Sequence, residues 1–201
     1  VDNTVSLNFI EQHWKLLEPI CLWLNDFRFI PDKYKTQEIC LNAFTKNLWA
    51  LEYIPEYLRT EELFRLAVTQ NWKALECIPD EYITPELCEL AVIQDGGALE
   101  YVPLKLITQE LCELAVKSDG ESLKFVSYKY KNYHMCLEAV KQNGWALEYI
   151  PDKYKTKELY KLAIKQEGRT LSYIPKDFKT KELCELAIRQ DGRALAFIPE
   201  H

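Results

Sequence analysis

The sequence predicts an all-α fold, an α-solenoid of seven 24-residue helix-turn-helix repeats behind an N-terminal helical cap. The pair Ile-Pro, or a close variant, recurs every 24 residues without insertion or deletion, from Ile30-Pro31 to Ile198-Pro199. Apolar side chains within each repeat follow the 3.6-residue period of a helix. With 48% hydrophobic and 28% charged residues among 201, the composition is globular and excludes intrinsic disorder.

The period defines the domain organisation. With the proline as position 1, repeats 1 to 7 begin at Pro31, Pro55, Pro79, Pro103, Ser127, Pro151 and Pro175. Residues 1–30 do not follow the pattern and are predicted to form N-terminal capping helices. Residues 31–201 are predicted to form the array, which we expect to be truncated at its C-terminus. Each repeat in such an array buries its apolar face on its neighbour.

The first part of each repeat has the pattern of an α-helix. Position 6 is threonine in six repeats and Asn132 in repeat 5, and both side chains cap helix N-termini. Position 8 is glutamate in six repeats, where the positive end of the helix dipole favours a carboxylate. Positions 9, 10, 12, 13 and 14 then give a broad apolar stripe. Positions 17 and 18 read Asp-Gly or Asn-Gly in four repeats, where we expect glycine to end the helix in the left-handed conformation.

A second, shorter helix is predicted after this turn, for example at Ala146–Ile150. The proline of the next repeat ends it, because the residue before a proline is pushed out of the α region. Helices this short are marginal in water on their own. Stability is therefore expected to come from stacking of the repeats.

The cysteines are predicted to be structural. Seven is an odd number, so they cannot form a complete set of disulfides within one chain. Position 10, which also holds Phe64 and Tyr160, reads as an apolar slot in which cysteine acts as a small hydrophobe. Stacked thiols with metal or redox chemistry are the alternative. Five cysteines share this position: Cys40, Cys88, Cys112, Cys136 and Cys184.

No catalytic or metal-binding pattern is present, so we expect neither an enzyme nor a cofactor. The sequence has no C-x-x-C pair, and its three histidines are far apart, which argues against zinc. It also has no glycine-rich phosphate loop and no Ser-His-Asp order. The position-8 glutamates are explained by the helix start, and His134 is interpreted as a tolerated substitution. Reduced cysteines indicate a cytoplasmic, intracellular protein.

Aromatic residues recur at positions 4 and 23, and we expect them to pack between repeats rather than to stack on bases or ligands. Position 19 varies more, and tryptophan there has two open interpretations. Trp49 and Trp145 at position 19, with Trp72 at position 18, are either anchors for a partner or side chains lying flat over neighbouring turns.

Charge separates along the chain, whose net charge is -6. Residues 1–100 hold 8 basic and 17 acidic side chains, whereas residues 101–201 hold 17 and 14. The last four repeats carry a basic ridge at positions 15 and 19, which consists of Lys117, Lys141, Lys165, Arg169, Arg189 and Arg193. Its candidate partner-binding residues are Lys165, Arg169, Arg189 and Arg193. The separation would orient an acidic partner, or let two copies associate head to tail.

The segment Ala139–Tyr149, AVKQNGWALEY, resembles the AVKQNG-x-ALxYA repeats of a bacterial and viral family known as a domain of unknown function, number 4116. The resemblance covers residues 31–198. It implies an all-helical repeat found in phage, giant-virus and intracellular-pathogen proteins, including effectors delivered into host cells, and no catalytic residue. Residues 84–100 also resemble the DNA-reading repeats of transcription activator-like effectors, whose repeat is longer.

The function expected from the sequence is a non-enzymatic protein-protein interaction module that presents an edge or concave face to a macromolecule. One alternative is nucleic-acid binding through the basic ridge, which the acidic net charge disfavours. Another is a targeting or spacer domain of a longer enzyme. We expect no membrane partner, because the sequence has no apolar run of 18 residues.

Overall fold

A computed structural model of the chain describes residues 27–199. Within this range there is one α-helix in each repeat, 3₁₀ helices connect them, and no β-strand occurs. The α-helices are α1 (Gln37–Lys46), α2 (Glu61–Gln70), α3 (Pro85–Gln94), α4 (Gln109–Ser118), α5 (Tyr133–Gln142), α6 (Lys157–Gln166) and α7 (Lys181–Gln190). The predicted all-α repeat solenoid is confirmed.

Each α-helix spans positions 7 to 16 and begins at the predicted cap. The Thr156 hydroxyl accepts a hydrogen bond from the Leu159 amide at 3.3 Å, and the Asn132 side chain accepts one from the Met135 amide at 2.8 Å. The same bond forms in the other five repeats. It satisfies one of the amides that a helix start leaves without an intrahelical partner.

The second element of each repeat is a 3₁₀ helix. These helices are Leu48–Tyr53, Trp72–Cys77, Gly96–Tyr101, Gly120–Lys124, Gly144–Tyr149, Gly168–Tyr173 and Gly192–Phe197. The position-17 side chain caps six of them, as where Asn143 accepts a hydrogen bond from the Trp145 amide at 2.9 Å. Three-residue 3₁₀ helices also occur after the position-1 proline at Asp32–Tyr34, Glu56–Leu58, Leu104–Leu106, Asp152–Tyr154 and Lys176–Phe178.

The expectation that glycine at position 18 ends the helix in the left-handed conformation is wrong. None of the five glycines at position 18 has a positive φ angle between 20° and 160°, and position 17 is extended instead, as at Asn143 with φ of -142°. In repeats 3 to 6, a close approach of the next repeat leaves no room for a side chain at this position, whereas repeats 1 and 2 have leucine and tryptophan there. A Cβ on Gly144 would lie 2.8 Å from the Ala163 carbonyl oxygen, and one on Gly120 would lie 2.7 Å from that of Ala139.

The chain divides into two compact bodies between Ala91 and Val92, inside α3. In the N-terminal body, α1 packs on α2. In the C-terminal body, α4 packs on α5, α5 on α6, and α6 on α7. Each α-helix buries positions 9, 10 and 13, and each 3₁₀ helix buries position 20. The core is thus a thin apolar layer that is renewed at every repeat.

Glutamine at position 16 joins consecutive repeats of the C-terminal body. The Gln142 amide donates to the Val116 carbonyl at 2.9 Å, and its oxygen accepts from the Gly120 amide at 2.9 Å. The Gln166 amide donates to the Val140 carbonyl in the same way, and the Gln190 amide donates to the Gln166 carbonyl. The last carbonyls of one α-helix, which lack intrahelical partners, are thereby satisfied by the next repeat.

The predicted cap at residues 1–30 lies outside the described residues except for residues 27–30. There, Phe27–Phe29 form a 3₁₀ helix, and Phe27 and Ile30 are buried. No helix within the described range has both the length and the apolar character needed to cross a membrane.

Candidate functional site

The position-10 cysteines occupy an apolar packing slot, as predicted. Cys88, Cys112 and Cys136 are fully buried. Burial raises the pKa of each of these thiols to about 11, so they stay protonated at neutral pH. Among residues 27–199, no group of three His, Cys, Asp or Glu side chains has a geometry that could hold a metal ion.

Aromatic side chains at position 4 cover this slot from the next repeat. The rings of Phe64 and Tyr82 lie 5.1 Å apart, and those of Tyr160 and Phe178 lie 5.9 Å apart. Tilted ring pairs at this separation stabilise packing. The prediction that the position-4 stripe packs between repeats is confirmed for these two pairs.

The position-8 glutamates behave as helix-start residues. Hydrogen bonds from their own backbone amides, followed by bonds with the Thr84 and Thr108 side chains, lower the pKa of Glu86 and Glu110. Lys161, 2.9 Å away, lowers the pKa of Glu182. A carboxyl group that transfers protons near neutral pH needs a raised pKa, which is the opposite direction.

An open groove of about 500 Å³ lies between α4 and α5 in the C-terminal body. The repeat pattern did not predict this groove, although it held one signal: Glu138 stands at position 12, where five repeats have leucine. Glu138 pairs with Lys141 at 2.6 Å, and Glu113 accepts a hydrogen bond from Gln109 at 2.8 Å. Both carboxylates are therefore already partnered. The groove is lined by Glu113, Val116, Lys117, His134, Met135 and Glu138.

Trp145 lies over its neighbouring repeat. Its ring meets that of Tyr173 edge to face, with centroids 6.0 Å apart and an angle of 82°. The Arg169 guanidinium lies over the Trp145 ring, 5.7 Å from its centroid. The side chain is half-buried. For Trp145 the structure supports the interpretation of a tryptophan lying flat over the next turn.

The two other tryptophans are in the N-terminal body, where the 3₁₀ helices that carry them contact each other. Trp49 is 54% exposed, an unusually large apolar exposure. Trp72 is half-buried, and the ammonium group of Lys73 lies 5.6 Å from its ring centroid. Trp49 is therefore the one of the three whose surface is most available to a partner.

The four candidate residues of the basic ridge lie on repeats 6 and 7, and the structure separates them into two kinds. Lys165 and Arg189, at the ends of the packed helices α6 and α7, are exposed and form no ion pair within residues 27–199. Arg193 pairs with Asp191 at 2.9 Å. This pairing, with a smaller contribution from Arg169, lowers the pKa of Asp191. Arg169 and Arg193 thus both act on one carboxylate.

Lysines at position 5 have a structural role that the sequence pattern did not predict. The ammonium groups of Lys35, Lys131 and Lys179 donate to the position-23 carbonyl of their own repeats at 2.8 to 2.9 Å. Burial lowers the pKa of Lys131. The recurrence of lysine at position 5 is the sequence signal that could have indicated this role.

Comparison with known proteins identifies the family. No curated protein and no solved structure matches the chain. The family model described as Domain of unknown function (DUF4116) matches residues 36–83, 84–131, 108–155 and 156–201. Each match begins at a position-6 threonine, so the family unit starts at the cap of an α-helix and spans two repeats. Because these matches cover most of the sequence, the chain belongs to the DUF4116 family.

Proposed function

We propose that the chain is a non-enzymatic binding module whose basic ridge contacts an acidic surface of a protein partner. The observation that carries the proposal is the pair Lys165 and Arg189. Both cations are exposed, both stand at position 15, and neither has an ion-pair partner in the described part of the chain. A carboxylate of a partner could therefore form an ion pair with either cation without breaking an existing ion pair.

The packing of α6 on α7 sets the spacing of this surface. Neighbouring packed helices lie about 8–10 Å apart, so equivalent side chains on the two helices present a regular row of charge. Arg169 and Arg193 at position 19 extend the row onto the 3₁₀ helices. Complementary charge of this kind mainly increases the association rate and the specificity for a partner.

A binding role agrees better with the ionisation of the side chains than an enzymatic role does. The carboxyl groups with displaced pKa values, among them Glu110 and Glu138, are displaced downward. The pKa values of the buried thiols of Cys112 and Cys136 are raised. Neither direction prepares a proton donor, base or nucleophile for work at neutral pH.

The proposed location is intracellular, and the six described cysteines, all free thiols, support it. The family resemblance extends the proposal to a protein of a phage, a virus or an intracellular pathogen that acts inside a host cell. The partner would then be an intracellular protein with an acidic patch.

The test compares two variants with the same charge change. The ridge variant carries Lys165→Glu, Arg169→Glu, Arg189→Glu and Arg193→Glu. The control variant carries Lys105→Glu, Lys129→Glu, Lys176→Glu and Lys181→Glu, all exposed cations away from the ridge. The probe is fluorescent poly-L-glutamate, and fluorescence anisotropy measures its binding to each protein after circular dichroism has verified the fold.

We expect the ridge variant to bind the acidic probe about tenfold or more weakly than the wild type, and the control variant to change much less. Equal weakening by both variants would contradict the proposal, because it would show an effect of net charge alone. A DNA duplex is titrated in parallel. Binding to DNA that exceeds binding to polyglutamate, with a steep dependence on salt, would instead assign the ridge to nucleic acid.

A further inference from the structure

Trp49 in repeat 1 and Trp145 in repeat 5 stand at the same position but have different surroundings. The next repeat covers Trp145 with Tyr173 at position 23 and with Arg169 at position 19, whose guanidinium lies 5.7 Å from the Trp145 ring centroid. A cation in this place is attracted by the negative face of the aromatic ring. Repeats 5 and 6 thus form, within the chain, a complete contact of an arginine on a tryptophan.

An acidic group at position 22, Glu148, belongs to this contact. Burial, and then the neighbouring Glu148 carboxylate, raise the pKa of Tyr173, whereas the Arg169 charge acts in the opposite direction. The carboxylate and the guanidinium therefore both lie near the Tyr173 phenol. The contact has three parts, which are the tryptophan face, a carboxylate at position 22 and a cation.

The N-terminal body has the first two parts of this contact without the third. Trp49 is 54% exposed, and among residues 27–199 no cation lies over its ring. Two differences in repeat 2 explain the exposure. Position 23 is Cys77, where repeat 6 has the covering tyrosine. Position 19 is Lys73, whose ammonium group lies over the Trp72 ring at 5.6 Å. The 3₁₀ helices of repeats 1 and 2 contact each other, so both differences fall beside Trp49.

Two carboxylates at position 22 accompany the exposed tryptophan. Glu52 and Glu76 are both exposed, and neither forms an ion pair within the described residues. Burial, and then the charges of Glu76 and Glu52, raise the pKa of the Cys77 thiol to about 11. Both carboxylates therefore lie near the side chain that replaces the covering tyrosine. Position 22 of repeat 6 is Ser172, so repeats 1 and 2 have one more acidic group here than repeats 5 and 6.

We infer that the exposed face of Trp49, with Glu52 and Glu76 beside it, binds an arginine side chain of a partner protein. Arg169 on Trp145 is the same contact made within the chain. A guanidinium fits because it is planar and stacks on an indole while its N–H donors reach carboxylates at its edge. A lysine ammonium is a compact charge that does not stack. The inference does not depend on the proposed function of the basic ridge, because this site lies in the N-terminal body and takes a basic segment.

The test titrates the chain with the peptide acetyl-Gly-Arg-Gly-Arg-Gly-amide. Two matched peptides carry lysine or the neutral arginine analogue citrulline in place of arginine. Two-dimensional ¹H–¹⁵N NMR follows the Trp49 indole N–H and the backbone amides of Leu48–Tyr53 and Trp72–Cys77. We expect the arginine peptide to shift these resonances, the lysine peptide to bind about threefold or more weakly, and the citrulline peptide to bind about tenfold or more weakly.

Three variants define the site, and the backbone amides report the affinity of each. Trp49→Ala removes the aromatic face, and the double variant Glu52→Gln, Glu76→Gln removes both charges. Each is expected to weaken binding of the arginine peptide about threefold or more. Cys77→Tyr places at position 23 the tyrosine that covers the tryptophan of repeat 5, so it should weaken binding by covering Trp49.

The control is the double variant Glu61→Gln, Glu89→Gln. It removes two exposed carboxylates of the same body that lie on α2 and α3 rather than on the 3₁₀ helices. The charge change equals that of the site variant, and we expect affinity for the arginine peptide to change less than about twofold. Circular dichroism verifies the fold of every variant before titration.

Four results would overturn the inference. The first is an arginine peptide that leaves the Trp49 indole and the neighbouring amides unshifted. The second is equal affinity for the arginine peptide and either matched peptide, since the site would then not select a guanidinium. The third is a control variant that weakens binding as much as the site variant does. The fourth is a dimer, seen by sedimentation velocity, that Trp49→Ala dissociates, since the occupant would then be a second copy of the chain.

Discussion

The Nε2 amide of Gln166 donates to the backbone carbonyl of Val140 in the preceding repeat at 2.9 Å. The same amide reaches the Lys141 carbonyl at 2.6 Å. These carbonyls belong to the last turn of α5 (Tyr133–Gln142), where a helix leaves its carbonyls without intrahelical partners. One repeat therefore caps the helix of another, and the contact between repeats 5 and 6 has a polar component beside its apolar one.

Replacing this glutamine tests the polar component. Gln166→Ala is expected to lower the free energy of unfolding by about 1–2 kcal/mol, because it leaves two carbonyls without a donor. Gln166→Glu should cost at least as much, since it turns a carboxylate toward carbonyl oxygens. Lys165→Ala, one residue earlier and exposed, is the control and should stay within about 0.5 kcal/mol. Urea denaturation measures all three, and equal effects of Gln166→Ala and Lys165→Ala would contradict the prediction.

The glycines of position 18 give a matched pair of substitutions. Gly144→Ala is expected to destabilise the chain by about 1–3 kcal/mol, because the new Cβ would lie 2.8 Å from the Ala163 carbonyl oxygen. Gly192→Ala is expected to be neutral or to stabilise by up to about 1 kcal/mol, because its Cβ has open space. Thermal unfolding of both variants measures the two changes in stability. Similar losses for both would show that position 18 needs glycine for its backbone conformation instead.

The buried thiols predict how stability depends on alkaline pH. The pKa of Cys112 is raised to about 11 by burial, against about 8.5 for an unfolded thiol. The folded state keeps this proton longer than the unfolded state does. Its contribution to stability is thus complete below about pH 8.5 and is lost as pH rises toward 11. Cys40, Cys88 and Cys136 act in the same direction.

The measurement is the free energy of unfolding between pH 8 and pH 10.5, with reductant present. We expect it to fall with rising pH, and to fall less steeply in Cys112→Val, which removes one titrating thiol while filling the same slot. The other groups that titrate in this range are common to both proteins. Parallel pH profiles would mean that the Cys112 thiol ionises equally in the folded and unfolded states.

The sequence was sufficient for those parts of the fold that depend on one repeat at a time. The α-helices begin where threonine or Asn132 predicted a cap, because capping is a local interaction between residues three apart. The burial of the position-10 cysteines followed from comparing that position across repeats, since Phe64 and Tyr160 hold it in two others and require an apolar environment. Because the period is constant, a prediction made for one repeat applies to the same positions of the others.

The parts that could not be predicted depend on contacts between repeats. Glycine at position 18 looked like a helix end, but its requirement comes from the alanine carbonyl of the following repeat, as Gly144 and Ala163 show. The glutamine bonds join residues more than 20 apart in sequence, and only the recurrence of glutamine at position 16 signalled them. The same limit left the role of each tryptophan open, because position 19 can face a neighbouring repeat or solvent.

Replacing two of those tryptophans is expected to change stability by different amounts. Trp145 contacts Tyr173 edge to face and lies under the Arg169 guanidinium, so Trp145→Ala is expected to cost about 1–2 kcal/mol of stability. Trp49 is 54% exposed, so Trp49→Ala should stay within about 0.5 kcal/mol. Urea denaturation measures the free energy of unfolding of both variants. Arg169→Ala, which removes the guanidinium over the Trp145 ring, is expected to cost less stability than Trp145→Ala. A loss for Trp49→Ala as large as that for Trp145→Ala would mean that both tryptophans stabilise the stack, and Trp49 would no longer be a candidate anchor for a partner.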